Sequence, residues 1–321
     1  MGETQGRVTL WGIEVFLIVA EEGAISAAAR RLGASVSGVS QQLAALEAAL
    51  GAELLDRSAR PLTLTPAGAM FRRRAQAILN EAAEARAELA AGDLSGLTSF
   101  RLGMIEDFDS DVTPRLLADM AEELKGCQFL LETGPSHRLL DQLDSRALDM
   151  VVAAEMGPAA DWMEVHPLLS EPFVAAVPKG AVAEGADTLA RLQALPLILY
   201  TKRHAMGRQI AAHLARQELR LAHRFELDSY HAIMAMVAQG AGWTILTPLG
   251  YLHAQRFRDK VDVLPLPFAP LSRRISLTAR AGVLRDMPGQ VAGRLRPLLQ
   301  ELVVAPAVAR MPWLEGALRV L

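Results

Sequence analysis

The chain has 321 residues, is 51% hydrophobic and 21% charged, and carries a formal net charge of −3. That composition excludes wholesale disorder and fibrous repeats, and the length suffices for two or three domains that bury their own cores. One cysteine, Cys127, rules out an intrachain disulfide and a cysteine-held metal cluster.

The seven histidines are dispersed without the i, i+4 pairing that aims two imidazoles at one ion, so no metal is expected. There is no Gly-x-Ser-x-Gly elbow and no phosphate-cradling loop ending in Lys-Ser or Lys-Thr, so neither an enzyme nor a cofactor is expected. No apolar run approaches the roughly 20 residues of a membrane span, and Met1 to Arg7 lacks an export pattern. A cytoplasmic protein with no membrane partner is expected.

Along the chain, Leu10 to Glu22 places Ile13, Phe16, Leu17 and Ala20 at helical spacing, and Gly23 stops it. Ser26 is the expected cap of a second helix, Ala27 to Leu32, whose alanines permit close approach. After a turn at Gly33 and Ala34, Ser35 caps a third helix, Val36 to Leu50, with Val39, Leu43, Leu46 and Leu50 on one buried stripe. Val36, Ser37, Ser40 and Gln41 are then left on its leading turns. Two short helices joined in this way suit a helix-turn-helix, although a plain helical corner has the same pattern.

Residues Arg57 to Thr65 alternate around Pro61 and suit a hairpin wing with Arg57 and Arg60 at its tip. Thr65 and Pro66 open a long helix, about 37 Å to Ala90. Phe71, Ala75, Ile78, Ala82, Ala85 and Leu89 form a heptad seam on it, which suits packing on a partner chain or on its own body. Within residues 1–70 five arginines face seven acids, a poor bulk score for binding DNA.

Gly92 to Gly96 read as a hinge. Beyond it, short apolar runs at Phe100 to Ile105, Gln128 to Glu132, Asp149 to Ala154, Phe173 to Val177, Pro196 to Tyr200, Arg224 to Leu227, Trp243 to Leu246, Val261 to Leu264 and Ile275 to Ala279 alternate with helical stretches. Alternation of this kind predicts parallel sheet covered by helices on both faces.

The strings Val19-Ala20-Glu21-Glu22-Gly23, Ala28-Ala29-Arg30-Arg31-Leu32, Ser35 to Leu43, Leu46-Glu47, Leu50-Gly51, Leu54-Leu55-Asp56-Arg57 and Leu64-Thr65-Pro66-Ala67-Gly68 resemble the signature of the LysR-type transcriptional regulators. More weakly, Gly240-Ala241-Gly242-Trp243-Thr244 and Leu148-Asp149-Met150 are similar to that family's effector domain. The resemblance implies an α/β multidomain chain: an N-terminal winged helix-turn-helix (1–65), a long linker helix (66–91), a hinge (92–98) and a C-terminal periplasmic-binding-protein-like α/β domain (99–304) of two subdomains. Subdomain I would be 99–173 with 274–304, subdomain II 174–273, and 305–321 a tail. Val36 stands where members commonly carry Gln, and Gly38 where Ala is usual.

In function, the resemblance implies a sequence-specific transcriptional regulator modulated by a small-molecule effector. Its partners would be double-stranded DNA, the effector and other copies of the chain, as a homodimer and a homotetramer built from it. Arg31, Arg57 and Arg60 would neutralise phosphates, while Val36, Ser37, Ser40 and Gln41 face the major groove. Phe71, Ile78 and Leu89 would form the dimer seam. The family's topology puts Glu106, Asp107, Thr133, Ser136, Thr201, Arg203, Ser229, Tyr230 and Thr247 at the effector cleft. The acidic run Glu106 to Asp111 would disfavour carboxylate effectors unless Arg203 pairs with Glu106 across the cleft, or it would be a solvated loop. The competing class is a small-molecule-binding protein whose N-terminal helices serve oligomerisation alone, for which an arginine-tipped wing has no use.

Overall fold

The computed structural model describes residues 7–90, 97–183, 187–219 and 221–321. The chain divides into a helical unit ending at Leu97 and an α/β unit beginning at Thr98. The expected hinge Gly92 to Gly96 and the Leu89 side chain lie outside the described residues.

In the first unit, helix α1 (Leu10–Glu22) is capped by Thr9 and ends at Gly23, whose φ of 65° completes the stop. Helix α2 (Ile25–Leu32) starts earlier than expected, with Ala24 at its N-cap and no side-chain bond there. Ser26 therefore sits inside the first turn and does not cap it; the early start lets Ile25 pack on the core. Helix α3 (Val36–Leu50) begins with Ser35 accepting the Gly38 amide at 3.0 Å. Val39, Leu43 and Leu46 are buried as the stripe requires, but Leu50, in the last turn before Gly51, is exposed.

Strands β1 (Leu55–Asp56) and β2 (Thr63–Leu64) pair antiparallel and form the wing. Helix α4 (Pro66–Ala90) opens with Thr65 accepting the Gly68 amide at 2.9 Å and donating to the Glu53 carbonyl at 2.7 Å. Gly68 is required by space: a Cβ there would stand 1.9 Å from the Leu54 carbonyl oxygen. The unit's core gathers Ile13, Phe16, Val19, Ala28, Leu43, Leu46 and Ala75. Phe71 is half-buried against this core, its ring 5.4 Å from that of Phe16, while Ile78 is 40% exposed.

The second unit contains a six-stranded sheet built from β3 (Ser99–Met104), β4 (Gln128–Thr133), β5 (Met150–Ala154), β6 (Met163–Pro172), β12 (Ser272–Arg280) and β13 (Arg319–Val320), in the order β13-β6-β12-β5-β3-β4. A second group of strands comprises β7 (Val174–Pro178), flanked by β10 (Thr244–Leu246) and β11 (Val261–Pro265), and the parallel pair β8 (Leu197–Tyr200) and β9 (His223–Leu227). The Ile198 amide donates to Trp243 O at 2.8 Å, and the Trp243 amide to Pro196 O at 3.0 Å, joining the pair to the rest. Gly242, at φ 153°, permits this, since a Cβ there would meet the Pro196 oxygen at 2.1 Å.

The sheets are mixed, which corrects the all-parallel expectation. Strand β3 runs parallel to β4 and β5, whereas β12 is antiparallel to β5 and β6, and β7 is antiparallel to both its neighbours. The reason is the route of the chain: it leaves subdomain I along β6 and returns along β12, so the two crossings lie side by side in opposite directions. The expected C-terminal tail is part of subdomain I. Helix α12 (Ala305–Arg310) packs there, Leu314 and Leu318 are buried, β13 pairs with β6, and Arg296 donates to the Leu321 carbonyl at 2.7 Å. Among the described residues no helix is long and apolar enough to cross a membrane.

Candidate functional site

In the helical unit the start of α3 presents Val36 (52% exposed), Ser37 and Gln41 to solvent, with Ser40 half-buried beside them. The Ser35 and Ser37 hydroxyls lie 3.2 Å apart, and the cap bond to Gly38 holds a turn that glycine would otherwise loosen. A first turn of this kind presents small polar groups, one β-branched methyl pair and one amide, a set that can read base edges.

The three arginines expected on phosphates are already bonded within the unit. Arg31 donates to Glu21 at 3.0 Å and to Glu22 at 2.9 Å, and these carboxylates hold its pKa above the usual arginine value. Arg57 donates to Glu47 at 2.7 Å. Arg60 donates to the carbonyls of Arg57 and Ala59 at 2.8 and 2.9 Å, stiffening the wing tip. Residues 1–70 end just short of Arg72, Arg73 and Arg74, which are exposed on α4 with no ion pair among the described residues. Adding them turns the excess of two acids into an excess of one base.

In the α/β unit a cleft of about 720 Å³, counting its open mouth, separates the two subdomains. Subdomain I lines it with the turn after β3 (Glu106, Asp107), the start of α6 (Ser136–Asp144), and Ala154 and Glu155 at and just beyond the end of β5. Subdomain II contributes Tyr200, the start of α8 (Ala205–Arg216), the start of α9 (Tyr230–Ala238), and Thr247 before α10 (Pro248–His253). Of the expected residues, Glu106, Asp107, Ser136, Tyr230 and Thr247 are brought together here.

The others are placed differently. Thr133 is exposed and donates to Asp109 at 3.1 Å. Thr201 is buried and accepts from Arg203 at 3.4 Å, and no Arg203–Glu106 ion pair forms among the described residues. Ser229 caps α9 by accepting from Ala232. The charge across the cleft is Arg273 instead, at the start of β12. Its Nε donates to Glu171 at 2.7 Å, and a terminal nitrogen reaches Asp107 at 3.2 Å and Thr247 at 3.3 Å.

This buried network ties both subdomains to the crossing strands. Glu171 is fully buried, directly opposite Arg273 in register, and also accepts the Leu249 amide at 2.7 Å. Burial raises the Glu171 pKa, while Arg273 works against that rise. Burial likewise works to lower Arg273, but Glu171 and Asp107 outweigh it and hold the guanidinium charged. Burial, then Asp107 and then neighbouring acids push the Tyr230 phenol upward, so it stays neutral. His204 lies 5.6 Å from His137 across the cleft, and burial followed by that neighbour lowers its pKa.

Comparison with known proteins divides the chain in the same way. The family described as "LysR substrate binding domain" matches residues 95–289, and "Bacterial regulatory helix-turn-helix protein, lysR family" matches residues 10–69. A "Probable hydrogen peroxide-inducible genes activator" of Mycobacterium avium is 34% identical over 283 residues, 87% of this chain and 90% of that protein. The "DNA-binding transcriptional dual regulator OxyR" of Escherichia coli (strain K12) is 27% identical, over 88% of this chain and 93% of its own. A full-length OxyR variant from Pseudomonas aeruginosa, 23% identical, shares the fold with a TM-score of 0.67 over 90% of this chain and 95% of that one. With both of its units matched in order, the chain belongs to the LysR-type transcriptional regulators, DNA-binding proteins that carry an effector-binding domain.

Proposed function

We propose that the start of α3 reads operator DNA and that a small molecule in the acidic cleft sets the activity of the regulator. The observation that carries this reading is the Arg273 network: the groups lining the cleft are the groups that bridge its two halves, so an occupant necessarily meets the contacts that set its opening. Val36, Ser37, Ser40 and Gln41 read base edges. Arg57, Arg60 and Arg31 chiefly hold the wing and the end of α1 in place, and Arg30 with Arg72, Arg73 and Arg74 supply the phosphate charge. Copies associate through α4 around Ile78 into a dimer and a dimer of dimers. The protein works in the cytoplasm, where its DNA is, and the cleft binds without catalysing.

The name of the Mycobacterium avium relative refers to hydrogen peroxide. In this chain a thiol switch within one copy is not open, because Cys127 has no second cysteine to pair with. Burial, with Asp149 nearby, raises that thiol further from the reactive thiolate. A ligand in the cleft is therefore the better-supported signal. The test is DNA affinity against salt concentration, by fluorescence anisotropy on operator fragments recovered with the protein. Arg72→Ala and Arg73→Ala should each lower the slope of log affinity against log salt by about one. Gln41→Ala should relax base preference at one half-site position by about 1–3 kcal/mol. Unchanged slopes and preferences would overturn the assignment of the face.

A further inference from the structure

The cleft is unevenly charged. Among the described residues its lining carries the carboxylates Glu106, Asp107, Glu155 and Asp228 against one permanent cation, Arg273. That guanidinium is already committed to Glu171, Asp107 and Thr247. A carboxylate ligand would meet no free positive group and several like charges. Glu106 is in the opposite position: it is exposed to the cleft, and its carboxylate makes no hydrogen bond or ion pair among the described residues. Partial desolvation, then Asp107 and Asp109, raise its pKa, the mark of an anion short of counter-charge.

A second observation is independent of the acids. Tyr230 lines the same cleft, is 4% exposed, and has a buried hydroxyl with no hydrogen-bond partner. Buried hydroxyls are ordinarily satisfied, and an orphan one beside a ligand cleft points to a partner supplied by the ligand. Because the phenol stays neutral, it can donate its proton and can also accept a hydrogen bond from an N–H. His204, kept uncharged by burial, adds a ring without positive charge on the same side.

Resting on the reading of this cleft as the effector site, we propose that its ligand is a small organic cation with N–H donors, a protonated amine or a guanidinium, received by Glu106 and by the Tyr230 hydroxyl. The cation supplies the charge that Glu106 lacks and the hydrogen bond that Tyr230 lacks, and Arg273 remains on the crossing strands. A neutral ligand or an anion could satisfy the Tyr230 hydroxyl, but neither would supply the charge that Glu106 lacks.

The experiment is calorimetric titration of the full-length protein with butylamine, putrescine and agmatine in one arm, and butyrate, succinate and benzoate in the other. Wild type, Glu106→Gln and Tyr230→Phe are compared. Each substitution removes an unsatisfied group, so both variants should melt no lower than wild type. At least one amine should bind wild type saturably, about 10- to 100-fold more weakly in Glu106→Gln, and roughly threefold or more weakly in Tyr230→Phe. Equal amine affinity in wild type and Glu106→Gln, or silence of the whole amine arm, overturns the proposal.

Ala205→Trp, which fills the cleft, separates this outcome from failure of the wider reading. A carboxylate that binds wild type and is lost in Ala205→Trp would overturn the cation and keep the effector cleft. No binding in either arm, with DNA affinity unaltered by Ala205→Trp, would overturn both.

Discussion

The Glu47 carboxylate receives Arg57 at 2.7 Å on one oxygen and the amides of Leu54 and Leu55 at 2.8 and 3.3 Å on the other. One side chain of α3 thus anchors the strand that leads into the wing. Glu47→Ala leaves two partly buried amides without an acceptor and should destabilise the helical unit by about 1–3 kcal/mol. Arg57→Ala removes only the half-exposed partner and should cost less than about 1 kcal/mol. Chemical denaturation ranks them, and a larger loss in Arg57→Ala would show that the arginine and not the carboxylate is the anchor.

Removing Arg273 strands a fully buried carboxylate. Arg273→Met should destabilise the α/β unit by about 3–5 kcal/mol, and the double variant Arg273→Met with Glu171→Leu should recover most of that loss. Urea titration of the three proteins checks it. A double variant as unstable as the single one would mean that Asp107 and Thr247 matter more to the network than the central pair.

Phe71 and Ile78 lie seven residues apart on α4 but should fail in different ways. Phe71→Ala opens a gap against Phe16 and should lower the stability of the helical unit by about 2 kcal/mol at any protein concentration. Ile78→Glu places a charge on an exposed position and should leave the fold intact while shifting sedimentation toward the single chain. An unchanged sedimentation profile would remove Ile78 from the interface.

Glu106 has a raised pKa in the folded chain, caused first by partial desolvation and then by Asp107 and Asp109. The folded state therefore holds this proton more tightly than the unfolded one, so the group favours folding below the ordinary carboxylate range and loses that advantage as pH rises through its folded value. Glu106→Gln should consequently melt above wild type near neutral pH, with the gap closing as the pH falls toward about 4.5. Thermal melting across that window checks the sign; a gap that widens on acidification would contradict it.

Local signals were legible in the sequence. Ser35, Thr65 and Gly23 could be placed because capping and left-handed turns depend on a few neighbouring residues, and Val39, Leu43 and Leu46 because a helix repeats its buried face. Ser26 misled because Ala24, whose methyl offers no hydrogen-bond acceptor, takes the cap position. Strand β6 was not visible: Glu164, His166, Pro167, Ser170 and Glu171 interrupt its apolar residues, and it is a strand because β12 and β13 pair with it from far along the chain. Five cleft residues could be named from family topology, yet Arg273 and Glu171 could not. A signal existed for Arg273, since it shares strand parity with the buried Ile275 while Arg274 between them is exposed. An arginine on the apolar face of a strand asks for a buried acid, but which acid, 102 residues earlier, is a matter of tertiary pairing.

The register of the crossing strands makes subdomain II a removable insert. Pro172 stands opposite Ser272, and the Phe173 amide bonds to the Leu271 carbonyl at 2.7 Å, so the insert's two ends meet where a hairpin would close. Replacing residues 174–270 with an Asn-Gly turn, closed on the hydrogen-bonded Phe173–Leu271 pair, would convert two strands now joined through a whole subdomain into an ordinary β-hairpin, with every rung of the ladder kept. Subdomain I, with its six strands and the C-terminal segment that pairs along β6, is thereby a self-closing frame into which a different ligand-reading module can be spliced at a single seam.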